Sequence, residues 1–251
     1  MDFSNNHNFH TSLSRIKSLD GIEPIDAQAL LDSGKFPEII YRFDNNFTKL
    51  KNARGLPKAS LITEVNGRRS LRPVNPNGDG SIVNHIAADN AINRASSPYI
   101  SFSGDIETVE RFGSKSISIN VRALLQGIAN GKVRGVDVIT INQLRQGAQK
   151  KLTSSLQKIG ISQGTISSTL KRVHKVAKSS DGHLTHEQSE EIQRLINEVI
   201  EESRGLNRQA KEELTKVLKL DIDYLRHSIT NNEVLIRGTV PEDFLAIPKN
   251  L

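Results

Sequence analysis

The strongest constraint on this chain is a long helix-forming block that is followed by a return to β pattern. Thr185 and Gln188 form a capping box that opens a helix. Ile192, Leu195, Ile196, Val199 and Ile200 then recur at i, i+3, i+4, i+7 and i+8, which is one face of that helix. Gly205 is its stop. A second helix is predicted from about Asn207 to His227, with Ala210, Leu214, Val217, Leu218 and Leu225 turned inward. After it comes NNEVLIRG (231–238), a strand. A strand that reappears after a helical unit at 147–229 points to an insertion within one α/β-patterned domain. The 251 residues are enough for a single domain with a sizeable core.

The remaining segments fill in that domain, an α+β unit expected over 23–146 and 230–251. Residues 1–22 are polar and rich in Asn and Ser, and read as a flexible tail. Ile25 to Ser33 has helical spacing, and PEIIYRF after it ends a strand at Arg42. Residues 44–80 are rich in Asn, Gly, Pro and Arg, with LITEV (61–65) as the one strand expected there. Ser81 to Arg94 is expected to be a helix, YISFS a strand, and Asp105 to Phe112 a short helix. KSISINV (115–121) alternates with period two, and VDVITI (136–141) is an apolar run of strand length.

Composition excludes several classes of function. The chain has no Cys, so there is no disulfide framework, no Cys metal site and no Cys nucleophile. The start, MDFSNNHNFHTSLS, has neither a basic nor an apolar signal region, so a cleaved signal peptide is not expected. No run reaches the roughly 18 apolar residues of a membrane span. Net charge is +6 and the pI about 9.5, which suits an anionic ligand or acidic partner without identifying one. Aromatics are 4%, too few for a base-stacking platform.

Two motifs in the helical unit point elsewhere. From Val138 to Ser180 there is no acid, while Arg145, Lys150, Lys151, Lys158, Lys171, Arg172, Lys175 and Lys178 are all present. Within that run LQKIGISQGTISSTLKR (156–172) resembles a DNA-binding helix-turn-helix, with Gly160 at the turn and Gln163 and Thr165 as base readers. Gly164 weakens the would-be recognition helix, and the acidic face of 187–202 is available to neutralise the basic run. SSDGHLTHEQ (179–188) echoes half of a calcium loop. Its anchor positions hold Ala177 and Gln188, so Asp181 and Gly182 read as a turn, and His183 with His186 does not make a metal site.

Three strand segments carry chemistry-bearing residues in order. The first ends in Arg42, the second holds Ser101-Phe102-Ser103, and the third opens Asn231-Asn232-Glu233. An Arg fork matches phosphate oxygens in fixed geometry. A carboxylate can bond a ribose hydroxyl and offset the positive charge of an oxocarbenium-like state.

This ordered set resembles the bacterial mono-ADP-ribosyltransferase toxins and effectors of the Arg / Ser-x-Ser / x-x-Glu class. SPYISFSGDIETVERFG is similar to the family's middle motif, and NNEVLIRGTVP to its glutamate strand. The resemblance covers 36–145 and 229–248 and leaves out the helical unit. It implies an ADP-ribosyltransferase-like split β-sandwich with a helical insertion that recognises the target. NAD is then a substrate, and no metal is needed. It also implies roles: Glu233 is the catalytic carboxylate, Arg42 holds the dinucleotide, Ser101 braces the site, Ser103 shapes the strand end and Phe102 faces the nicotinamide ring. Asn231 positions the acceptor. Phe102 stands where the family has Thr, and Asn231 where it has Glu or Gln. An arginine acceptor is therefore not implied, and a hydroxyl or amide acceptor is equally open. Some effectors of this type modify a Thr of ubiquitin, which makes ubiquitin a candidate partner. By the same analogy the chain is expected to be secreted and delivered into the cytoplasm of a host cell. Two other readings stand beside this one, a helix-turn-helix DNA-binding protein and a non-catalytic helical interaction protein.

Overall fold

The computed structural model describes residue 22 and residues 25–51, 55, 58, 60–78, 80–87, 91–180, 184–203 and 205–247. The tail expected over 1–22 (Ile22 apart) and the turn at Asp181-Gly182 lie outside the described residues.

The fold is α+β. Its main sheet contains β1 (Ile39–Asp44), β4 (Tyr99–Ser103), β5 (Lys115–Asn120), β6 (Asp137–Ile139), β7 (Glu233–Arg237) and β9 (Leu245–Ala246). They lie in the order β6-β7-β4-β1-β5-β9, and every pair is antiparallel. A small sheet holds β2 (Ser60–Val65), β3 (Arg68–Pro73) and β8 (Val240–Pro241). β3 escaped the sequence reading because RRSLRP lacks apolar alternation. Its marker is the Asn66-Gly67 pair, with φ of 53° and 73°, the left-handed pair that a two-residue hairpin turn requires.

Side chains alternate across the main sheet, so β4, β6 and β7 each feed two cores. Tyr99, Ile139 and Leu235 face one side and join the helices. Ile100, Phe102, Val138, Val234 and Ile236 face the other. That second core is closed by α5 (Val121–Ala129), through Val121, Leu124 and Leu125, and by Leu71 and Val240 of the small sheet. α5 was hidden inside the KSISINV run. The strand stops at Asn120, whose Oδ1 accepts from the Ala123 amide and caps the helix. VDVITI is divided in the same way. Thr140 and Gln143 form a capping box, and the residues after Thr140 are helical.

The helices over the first face are α6 (Ile141–Lys158), α7 (Gln163–Ser179), α8 (His186–Glu202) and α9 (Arg208–Thr230). They connect β6 to β7, which are hydrogen-bonded neighbours. The helical unit therefore begins at Ile141, ahead of the expected 147. Ile192, Leu195, Ile196 and Val199 are buried as predicted. Val217 is not: it is 47% exposed, while Asp221 and Tyr224 are buried further along α9. Asp221 is satisfied by Ser155 Oγ at 2.6 Å.

The expected helix 81–94 is two short ones, α2 (Ile82–Ala87) and α3 (Ala91–Ser96). α2 packs on α9. The remaining short helices are α1 (Ala27–Ser33) and α4 (Ile106–Val109), the latter running into a single 3-10 turn at Glu110–Phe112.

Candidate active site

The strand order brings the sequence-distant residues together. β7 lies beside β4 with Ser103 opposite Glu233 and Ser101 opposite Leu235. Ser101, Ser103 and Glu233 thus share one face of the sheet. β4 meets β1 through a single registered pair, Tyr41 with Ser103, whereas β1 pairs with β5 at six positions. The sheet therefore opens beside Ser101. Arg42 spans this opening, with Nη1 donating to the Ser101 carbonyl at 2.7 Å.

Glu233 is 6% exposed. Burial pushes its carboxyl up to about 7, against the pull of the Ser101 hydroxyl, which donates to it, and of the Arg42 charge. A carboxyl held there is an uncommon expense in a fold, and such groups cluster at functional sites.

The turn before Glu233 is fixed from several directions. Asn231 ends α9, its amide donating to the His227 carbonyl. Asn232 has φ +45°, in the left-handed region that Asn tolerates. Arg145 Nη2 donates to Asn232 Oδ1 at 2.6 Å and to the Ile229 carbonyl at 3.3 Å, and its Nε donates to the Ser228 carbonyl at 3.4 Å. A cation on the last carbonyls of a helix complements its dipole. Burial lowers the Arg145 pKa from its usual value. Ser103 is fully buried. Its Oγ donates to the Asn231 carbonyl at 2.9 Å and accepts from the Asp105 amide at 3.0 Å, tying the end of β4 to this turn. Asn231 Oδ1 is buried with no hydrogen-bond partner among the described residues.

Phe102 requires a correction. It was expected to face a nicotinamide ring, but it is 2% exposed and packs with Ile40, Ile100 and Ile117 in the second core. Strand alternation turns it away from the Ser101, Ser103 and Glu233 face.

His85 was missed by the sequence reading. Its Nε2 lies 2.8 Å from Ser101 Oγ and its Nδ1 2.6 Å from Ser97 Oγ. One His in a six-residue helix has no periodic marker, so spacing carried no signal for it.

The basic run is partly spoken for. Arg172 Nε bonds Glu191 at 2.7 Å and its Nη1 bonds Glu198 at 2.5 Å, as the acidic face of α8 led one to expect. These contacts raise the Arg172 pKa and lower that of Glu191. Glu202 accepts from the Ser162 amide at 2.8 Å and from the Thr165 hydroxyl at 2.6 Å. A carboxylate thus occupies the N-terminus of α7, where a recognition helix would present Gln163 and Thr165 to DNA.

Among the described residues, no group of His, Asp and Glu could hold a metal ion, and no helix is long and apolar enough to cross a membrane. No protein-family model matches the chain, and no curated protein or solved structure matches it significantly.

Proposed function

We propose that the chain is an NAD-dependent mono-ADP-ribosyltransferase built on an ADP-ribosyltransferase-like split β-sandwich, with residues 141–230 as the element that recognises the target protein. The observation that carries this reading is the meeting of Arg42, Ser101 and Glu233 from three strands around a buried carboxyl. The opening of the sheet between β1 and β4 supports the split sandwich.

The residues suit an anionic dinucleotide. Arg42 is half-buried while Glu233 is 6% exposed, so phosphates would meet the guanidinium nearer the surface and the ribose would reach the carboxylate deeper in. Ionised Glu233 would accept from a ribose hydroxyl and offset the charge that grows at C1′ as the bond to nicotinamide breaks. Nicotinamide leaves with the electron pair of that bond, and the acceptor atom of the target forms the new bond to C1′ as its own proton passes to water. Asn231 is an amide and cannot take up a proton at neutral pH. Its unpartnered Oδ1 can accept a hydrogen bond, which suits a hydroxyl or amide acceptor. By the same reading the protein is a secreted bacterial effector acting in a host cell. Ubiquitin, through a Thr hydroxyl, is the first target to assay.

The test is incubation with tagged NAD and a eukaryotic lysate, beside Glu233→Ala. A labelled band with the wild type alone is expected. A wild type that neither cleaves NAD nor labels any protein overturns the reading.

A further inference from the structure

We infer that His85 is a positioning residue for the Glu233 carboxylate and acts through the Ser101 hydroxyl; this rests on the transferase reading of the site. Four contacts in line fix where each hydrogen lies. Ser101 and Glu233 lie on one face of neighbouring strands, and the single hydrogen of the Ser101 hydroxyl is donated to the ionised carboxylate. Ser101 Oγ is left only as an acceptor toward His85, 2.8 Å away, so His85 Nε2 carries the hydrogen and donates it. In the neutral ring Nδ1 must then accept, and the Ser97 hydroxyl donates to it at 2.6 Å. Ser97 Oγ in turn accepts from the Tyr99 amide at 3.2 Å. The chain Tyr99 N–H, Ser97, His85, Ser101, Glu233 thus runs in one direction, and the network assigns the Nε2–H tautomer. Each donor in it serves the next acceptor on the way to the carboxylate.

His85 is also held in place. Ser81 Oγ accepts from the Asn84 amide at 3.0 Å and starts α2. Ile82 and Val83 anchor that helix in the first core, at 0% and 3% exposed. The His85 ring meets the Tyr99 ring edge-on, with centroids 5.7 Å apart at 63°. A ring fixed on both sides keeps the Ser101 hydroxyl from rotating away, whereas an unsupported hydroxyl turns freely. The charge that acts on Glu233 is Arg42, on β1.

The experiment follows the Glu233 carboxyl directly. Protein carrying 13C-labelled glutamate is titrated by NMR, with Glu233→Gln assigning the resonance, and kcat and KM for NAD are measured across pH. His85→Phe keeps a ring against Tyr99 and removes both nitrogens. Its Glu233 titration is expected to move up by about one unit. Below that titration kcat then falls about tenfold, because a tenfold smaller fraction is ionised, while KM is little changed. His85→Gln, which retains an N–H donor, is expected to return the titration toward the wild type. In a Ser101→Ala background neither substitution should move Glu233 further. An unmoved titration in His85→Phe overturns the inference, and so does a shift that persists without Ser101. If His85→Phe does not fold, His85→Leu, which likewise removes both nitrogens, decides the same point with and without Ser101. A wild type that does not cleave NAD sinks the transferase reading alone, since the carboxyl titration still reports on His85.

Discussion

Glu233→Gln should stabilise the protein above neutral pH. The unfolded carboxyl titrates near the ordinary 4.5, and the folded one near 7. Between these values the folded state keeps a proton that the unfolded state has lost, so the folded pKa is the raised one. This contribution to stability is complete below pH 4.5 and is lost as pH rises through about 7. The difference is about 2.5 units, and at about 1.36 kcal/mol per unit it amounts to roughly 3 kcal/mol. Gln is close in shape to the protonated acid and does not titrate. The two proteins should therefore match at pH 4.5, and the variant should lead by about 3 kcal/mol at pH 8. For a chain of this length that is on the order of 6–12 °C in Tm. Urea unfolding of both proteins at pH 4.5, 6, 7 and 8 measures it, and the difference cancels every other titrating group. A difference that stays flat with pH would refute the claim that Glu233 is buried at a cost in the folded state.

Other consequences follow from the neighbouring contacts. Arg145→Met removes the donors on the Ser228 and Ile229 carbonyls and on Asn232, and should cost about 2 kcal/mol in urea unfolding while lowering kcat of the proposed transferase reaction. Phe102→Leu should lower stability by about 1 kcal/mol as a core substitution and leave KM for NAD unchanged; a raised KM would return Phe102 to the proposed nucleotide site. Gly238 has φ +91°, and a Cβ there would strike the Gly135 carbonyl oxygen, so Gly238→Ala should cost more than about 2 kcal/mol by thermal unfolding. Any duplex DNA binding should not respond to changing Gln163 and Thr165, because Glu202 caps that helix; gel shifts with both variants check it.

The parts legible in the sequence were those with a clean period. α8 showed its buried face because Ile192 to Val199 keep the 3.6-residue spacing. β4 and β7 showed themselves as short runs with their polar residues at fixed offsets. Along α9 the same rule failed at Val217, where the helix reaches solvent and the core instead takes Asp221 and Tyr224. No hydrophobic scale places an Asp inside; a Ser155 hydroxyl on the neighbouring helix does. β3 was lost because its apolar content is a single Leu among Arg and Ser, although Asn66-Gly67 announced the turn before it. For the site, the order Arg42, Ser101, Glu233 was visible because each residue sits on its own strand. His85 was not, since only the docking of α2 on α9 carries its ring to Ser101.

β6 and β7 touch in space, yet all four long helices lie between them in sequence. The cost of closing so long a loop grows only slowly with its length, but it must be met before the β6–β7 ladder can form. Helix contacts within 141–230 are more local and form faster. Refolding should therefore show helical signal first, with the Glu233 environment arriving last. The carboxyl that is costly to bury would then be desolvated only when the rest of the chain is already in place, so its burial should slow the late step and leave the early one untouched.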